Sequence, residues 1–311
     1  MSKRIAILDL GTNTFHLLIA EIEAGKHPKQ ILKESISAKL GEGGITKGII
    51  SNAAFTRGLD ALKHFNSTIQ KHPVDKIKAV GTAALRAARN GQNFIDRVRQ
   101  ETGIKIELID GNEEASFIYE GVRNAVSLTA HPVLIVDIGG GSVEFIICSK
   151  DEIYWKKSYP IGAAKLMALF HRTDPISKND TTDIEHFLNE QLAELKVAYK
   201  QYSPDMLIGS AGVFDTFAEL EVVQYHLDPT LLQQTEFSLN IKRFYDITDE
   251  LLETTHHERE EMKGLAEVRV DMIIVSTILT RHILKELNIQ EMKQSAYSLK
   301  EGLLFSISGM K

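Results

Sequence analysis

The 311-residue chain carries one cysteine, Cys148, so no disulfide can close within it. A thiol placed in the apolar run Phe145-Ile146-Ile147-Cys148 reads as an inert core residue. Bilayer-length apolar runs are missing too: Met272-Ile273-Ile274-Val275 is diluted at once by Ser276 and Thr277. The opening Met1-Ser2-Lys3-Arg4 leads into an apolar run that Asp9 interrupts, too short for a signal peptide. A cytoplasmic protein without a membrane partner is therefore expected. Positive charge is not in excess. The net charge of −6 gives no basic footprint for nucleic acid, so a polyanionic ligand would need a locally positive cleft. No G-x-x-x-x-G-K-[ST] occurs and no G-x-G-x-x-G follows the first strand, which excludes a Walker loop and speaks against a dinucleotide fold. His256-His257 lacks the cysteines or spaced carboxylates of a metal site. Ser142 and Ser210 have no evident histidine partner for serine hydrolase chemistry.

What the chain does contain is a repeat. Asp9-Leu10-Gly11-Thr12-Asn13-Thr14-Phe15-His16 follows the apolar run Ile5–Leu8, and Asp137-Ile138-Gly139-Gly140-Gly141-Ser142-Val143-Glu144 follows Val133–Val136. Each copy reads as strand, tight glycine turn, strand, with an aspartate at the mouth of the turn. Such a turn lets backbone N–H groups and a hydroxyl converge on phosphate, while the aspartate can hold a divalent cation. One wall would be Gly11, Thr12, Asn13 and Thr14; the other would be Gly139, Gly140, Gly141 and Ser142. Asp137 and Glu144 flank the second turn and, with Asp9, are the candidate ligands of Mg²⁺.

Length and composition allow two compact α/β domains. Strands are expected at 4–9, 15–22, 29–40, 76–80 and 104–109. A helix should start after Ser51, another should carry Leu85, Arg86 and Arg89, and one more should lie near 92–102. A further helix should open at Gly111 with Asn112 as its cap. In the second half, strands are expected at 133–136, after the loop, around Ile153–Trp155 and at 206–208. Helices are expected at 163–171 and 179–200, with mostly helix from 213 to 296. The weakly patterned Ser127–His131 marks the boundary, giving domains 1–125 and 126–297, with a last helix, 298–311, packing back on the first.

Several ordered motifs together resemble the exopolyphosphatase and guanosine pentaphosphate phosphohydrolase family, which shares the fold of actin, sugar kinases and heat-shock chaperones. They are the two loops, Gly81-Thr82-Ala83-Ala84-Leu85-Arg86, Gly111-Asn112-Glu113-Glu114-Ala115, Gly209-Ser210-Ala211-Gly212 and Gly264-Leu265-Ala266-Glu267-Val268-Arg269. The resemblance spans nearly the whole chain. It implies two actin-like domains around a cleft, in which Glu114 is the general base for the attacking water. Arg86 would clamp the terminal phosphate, and Gly209, Ser210 and Arg269 would add to phosphate binding. Read from pattern alone, Glu114 is first an acid that stabilises a helix's first turn, near the ordinary pKa of about 4.3; the resemblance reverses that order. Arg269 is equally an ion-pair partner of Glu267 or Asp271.

The resemblance further implies Mg²⁺-dependent removal of terminal phosphate from inorganic polyphosphate, with guanosine pentaphosphate as the rival substrate. It leaves room for a homodimer. Val143 and Val213 stand where the family usually has threonine. Those lost hydroxyls are the best argument for a non-catalytic polyphosphate or nucleotide sensor; a phosphotransferase is the remaining class. The chain resembles the short, two-domain members, which makes a preference for long polymers doubtful.

Overall fold

The structure, a computed structural model, describes residues 2–23, 25–210 and 212–309. Met1, Ala211 of the Gly209–Gly212 signature, and Met310 and Lys311 of the expected last helix lie outside the described residues. The first half runs β1 (Lys3–Leu10), β2 (Thr14–Ile22), β3 (Lys29–Ser37), α1 (Asn52–Lys71), β4 (Lys76–Gly81), α2 (Ala83–Ala87), α3 (Gly91–Thr102), β5 (Ile106–Leu108) and α4 (Gly111–Ala125). The second runs β6 (Val133–Ile138), β7 (Val143–Cys148), β8 (Ile153–Tyr159), α5 (Ala163–Phe170), α6 (Lys178–Gln191), α7 (Ala193–Tyr202), β9 (Met206–Ser210) and α8 (Gly212–Gln224). It ends with β10 (Glu236–Leu239), α9 (Ile241–Glu253), α10 (His256–Glu261), α11 (Ile273–Leu287), β11 (Glu291–Ser295) and α12 (Leu299–Ser308).

The two sheets repeat one plan. A five-stranded sheet has the order β3-β2-β1-β4-β5, and a six-stranded sheet has β10-β11-β9-β6-β7-β8. In each, an antiparallel three-strand meander (β1-β2-β3, β6-β7-β8) is extended by parallel strands on its first member. The order 3-2-1-4-5 in the first thus reappears as 8-7-6-9-11 in the second, with β10 added at the edge.

Alternation along β1 sends successive side chains to opposite faces. Ile5 and Ile7 enter one buried cluster with α4, α12 and the central strands of the second sheet. Ala6, Leu8 and Leu10 enter another beneath α1 and α3. A third cluster fills the far face of the second sheet, under α5 to α9 and α11. Helices α4 and α12 therefore lie between the sheets. Among the described residues, no helix is long and apolar enough to cross a membrane.

Several boundaries differ from expectation. β3 stops at Ser37 and β5 is confined to Ile106–Leu108. α2 ends at Ala87 because Ala88 is extended (φ −79°, ψ 129°), so Arg89 lies beyond it; its guanidinium donates to the Lys47 carbonyl at 3.3 Å. The cap of α4 is Asp110, not Asn112: its carboxylate accepts from the amides of Asn112 and Glu113, and Glu113 reaches back to the Asp110 amide. The expected 179–200 helix breaks at Leu192 (φ −94°, ψ 17°). Strands β10 and β11 occupy part of the stretch expected to be mostly helical.

Candidate active site

Both loops are built alike down to single hydrogen bonds. The Gly11 amide donates to Thr14 O at 3.2 Å, and the Gly139 amide donates to Ser142 O at 3.0 Å. A Cβ on Gly11 would sit 2.8 Å from Thr14 O, and one on Gly139 3.0 Å from Ser142 O. A side chain at Gly11 would thus force its turn to shift, and one at Gly139 would crowd the equivalent carbonyl. Strand register then pairs Asp9 with His16 in one hairpin and Asp137 with Glu144 in the other. His16 is thus the counterpart of Glu144.

Neighbouring segments orient the loop peptides. In the second loop, the carbonyls of Gly139, Gly140 and Gly141 accept from the amides of Ala163, Ala164 and Gly162 at 2.9, 2.9 and 3.2 Å. Because C=O and N–H point oppositely across a trans peptide, the amides of Gly140, Gly141 and Ser142 face away from α5. In the first loop, Thr12 O and Asn13 O accept from Gly41 N (3.1 Å) and Lys39 N (2.7 Å). The Asn13 and Thr14 amides are turned away by the same logic. Asn13 Nδ2 and Thr14 Oγ1 are buried with no hydrogen-bond partner. Unpaired buried polar atoms carry a desolvation cost that a ligand oxygen can relieve.

The loops face each other. A Cβ on Gly140 would lie 3.1 Å from Thr12 Cβ, and one on Gly141 only 2.6 Å from Thr12 Oγ1. Together they line one cavity of about 340 Å³, to which Asp9, Glu114, Asp137, Glu144, Arg269 and Lys300 also contribute. A second cavity of about 600 Å³ adjoins it at Ala83, Gly141 and Ser142 and contains Arg86. Gly11 through Thr14, Gly139 through Ser142 and all three candidate metal ligands are thus brought together. Ser210 stands behind them: its hydroxyl donates to Asp137 Oδ2 at 3.1 Å. Gly209 is packed against Phe214, whose ring a Cβ would meet at 2.0 Å, and serves the β9–α8 turn.

Arg269 forms no pair with Glu267 or Asp271. Asp271 pairs with Lys39 at 2.8 Å and His256 at 3.0 Å. The Arg269 guanidinium packs on Gly212, where a Cβ would come within 1.5 Å of Nη2. This contact explains why the two late motifs belong together.

Glu114 and Glu144 are not surface acids. Their residues are 7% and 1% exposed. Burial, then repulsion from Glu144, holds Glu114 well above the ordinary carboxylate range, against the pull of Arg86. Glu114 therefore departs from the ordinary glutamate pKa expected of a first-turn acid. Burial and Glu144 likewise raise Asp137, although the Ser210 hydroxyl pulls the other way. Burial raises Glu144 against the hydrogen bonds of Ser158 and Ser142; Ser158 Oγ donates to it at 2.6 Å. Arg86 Nη1 donates to Ile109 O at 2.7 Å and Glu114 Oε2 at 3.2 Å. It is bound to the proposed base.

Asp9 is pushed up to about 6, chiefly by burial, with Lys300 opposing and Glu301 and Glu144 assisting. A folded-state pKa above the unfolded value contributes stability at low pH that is lost as pH rises through about 6. In chelator, Asp9→Asn should therefore be more stable than the parent at pH 7.5, by on the order of 2–3 kcal/mol. The gap should narrow as pH falls toward 4. Urea unfolding across pH checks this, and parallel curves for the two proteins would refute it.

Sequence reading missed Lys300, Asp215, Glu219 and His16, all of which line the cavity. Burial lowers the His16 pKa well below its ordinary value, with Lys300, Arg269 and Lys33 adding to the effect. Burial works against the Lys300 charge, but Glu301, Asp9 and Asp215 more than offset it, so its pKa stays above the ordinary lysine value. One signal was available: the pair Lys300-Glu301 interrupts an otherwise apolar run in α12.

Comparison with known proteins bears on this arrangement. The sequence signature of the Ppx/GppA phosphatase family matches residues 18–310. The crystal structure of an exopolyphosphatase from Cytophaga hutchinsonii is 41% identical, superposes with a TM-score of 0.95 and is covered over 99% of both chains. Exopolyphosphatase 1 of Mycobacterium tuberculosis is 24% identical over 302 residues, 97% of this chain and 87% of that protein. A guanosine-5'-triphosphate,3'-diphosphate pyrophosphatase of Aeromonas salmonicida is 27% identical over 311 residues, 98% of this chain but 59% of that longer protein.

Proposed function

The chain belongs to the Ppx/GppA phosphatase family, and from that premise we propose that it hydrolyses the terminal phosphoanhydride of inorganic polyphosphate. The observation that carries this reading is one cavity holding both loops and Glu114. Phosphoryl transfer needs neutralised oxygens, a placed water and a stabilised leaving phosphate. The terminal phosphate lies between the loops, taking hydrogen bonds from the Gly140, Gly141, Ser142, Asn13 and Thr14 amides and from the unpartnered Asn13 Nδ2 and Thr14 Oγ1. Glu114 accepts the proton of the attacking water. Arg86, which lines the larger cavity and pairs with Glu114, orients that base and contacts the phosphate. Arg269 closes the side nearest Gly212. The remaining phosphates extend into the larger cavity.

Asp9, Asp137 and Glu144 suit Mg²⁺. They are buried hard-oxygen donors whose pKa values are raised chiefly by burial, a cost to their charged forms that a bound cation would offset. Among the described residues no three histidine, cysteine or acidic side chains are grouped closely enough to hold an ion unaided. An ion that keeps several waters suits that set. When bound, Mg²⁺ would offset phosphate charge. The same reading divides the chain into 1–125, with the 298–311 helix, and 126–297.

Guanosine pentaphosphate is the second reading. It is favoured by the apolar side of the larger cavity, formed by Leu40, Ile45, Ile49, Ala84, Ala87 and Ala88, which offers a nucleoside more than it offers a bare phosphate chain. A non-catalytic sensor rests on the hydroxyls missing at Val143 and Val213; both valines belong to the hydrophobic core of the second sheet, and Val213 also lines a small pocket with Asn13, Gly139, Gly140 and Arg269. Phosphate release from polyphosphates of graded length and from guanosine pentaphosphate, with and without Mg²⁺, tests the proposal. Mg²⁺-dependent release from short polyphosphate is expected; binding without release would overturn it.

A further inference from the structure

Lys300 is the second residue of α12, and its local surroundings disfavour a cation twice. The first turn of a helix presents unpaired N–H groups and the positive end of the macrodipole. The residue is also only 7% exposed, and burying an ammonium group is costly. Its neighbour Glu301 does not require it. Glu301 Oε2 already accepts from the Ser298 amide at 3.0 Å, and Oε1 lies 3.5 Å from Lys33 Nζ. Lys300 nonetheless reaches Ser298 Oγ and Glu301 Oε2, each at 3.2 Å, and lines the loop cavity. Six carboxylates line that cavity against three cations, Lys33, Arg269 and Lys300, among the described residues. A polyanion entering such a space needs a fixed positive charge deep within it.

We propose that Lys300 is an anion-binding residue of this site, its ammonium group contacting oxygens of the phosphate held between the loops and of the orthophosphate that remains after cleavage. Glu301, Ser298 and Lys33 position it. Asn13 Nδ2 and Thr14 Oγ1, buried without partners in the same cavity, supply neutral donors to the same oxygens. The proposal rests on the phosphohydrolase reading for which anion arrives, but orthophosphate binding tests it separately.

The experiment is calorimetric titration of inorganic orthophosphate into the parent, Lys300→Met, Lys300→Arg and the double variant Lys300→Met/Glu301→Gln. Tripolyphosphate hydrolysis is followed in parallel, with kcat and KM separated. Losing one charge-assisted contact should weaken orthophosphate binding about tenfold to a hundredfold in Lys300→Met and in the double variant. Lys300→Arg should retain most of the affinity. The double variant removes both buried charges, so it separates ligand binding from mere pairing with Glu301. Parent-like orthophosphate affinity in the double variant, failure of that variant to fold, or no orthophosphate binding by the parent would each overturn the proposal. Lys300-dependent binding without cleavage of either polyphosphate or guanosine pentaphosphate would sink the phosphohydrolase reading and leave Lys300 in place.

Discussion

Replacing Glu114 by glutamine should lower turnover by about 10²–10⁴-fold, the usual contribution of a positioned general base, while folding and phosphate binding persist. Glutamine keeps the shape of the side chain and an oxygen to accept from Arg86 Nη1, which lies 3.2 Å away in the parent. What it loses is the ability to take a proton. The environment makes that loss decisive. Burial and Glu144 raise the Glu114 pKa, which strengthens it as a base toward water. For the same reason the acid limb of kcat/KM should follow a group titrating above the ordinary carboxylate range, with activity rising as pH passes that value. Removing one of six cavity carboxylates should leave orthophosphate affinity unchanged or tighter. Glu113→Gln is the control. Its carboxylate caps α4 by accepting from the Asp110 amide at 2.9 Å, a role glutamine fills equally well. Activity near that of the parent in Glu114→Gln, measured by phosphate release, would remove Glu114 from the mechanism.

The loops were legible because their constraints are local. A turn that closes Gly11 N on Thr14 O leaves no room for a Cβ, so glycine spacing records it directly in sequence. The continuous apolar runs of β1 and β6 likewise report strands buried on both faces. Asp110 was overlooked as the α4 cap because Asn112 is also a good capping residue; the reciprocal bond from Glu113 decides between them. β11 was harder. Glu291, Lys293, Gln294 and Ser295 carry little β propensity, and the segment is a strand because β9 and β10 pair with it on both sides. Tertiary context overrides propensity there. Lys300 was missed for a similar reason. Within α12 Lys300 has only Glu301 to pair with; the other acids that hold it, Asp9 and Asp215, come from distant parts of the chain.

The same distance effect governs how Glu114 and Lys300 are held relative to each other, and it leads to a large loss of stability for Gly302→Ala. Helix propensity alone predicts a gain, since alanine is favoured over glycine in a helix by about 1 kcal/mol. The crossing of α4 and α12 reverses the sign. A Cβ on Gly302 would lie 1.7 Å from Phe117 O, 2.6 Å from Phe117 C and 2.9 Å from Gly121 N. On the facing helix, a Cβ on Gly121 would lie 2.2 Å from Ser298 O. These are backbone atoms, with no rotamer through which to yield, so the helices must separate. That separation opens the buried cluster between the two sheets, where Ile118, Val122, Leu299 and Leu303 meet the central strands. Overpacking against backbone should cost about 3 kcal/mol or more, lowering the thermal midpoint by roughly 5–10 °C. Because α4 carries Glu114 and α12 carries Lys300, turnover of the surviving folded fraction should fall as well. A thermal midpoint equal to or above that of the parent would mean that the two helices do not cross at this contact.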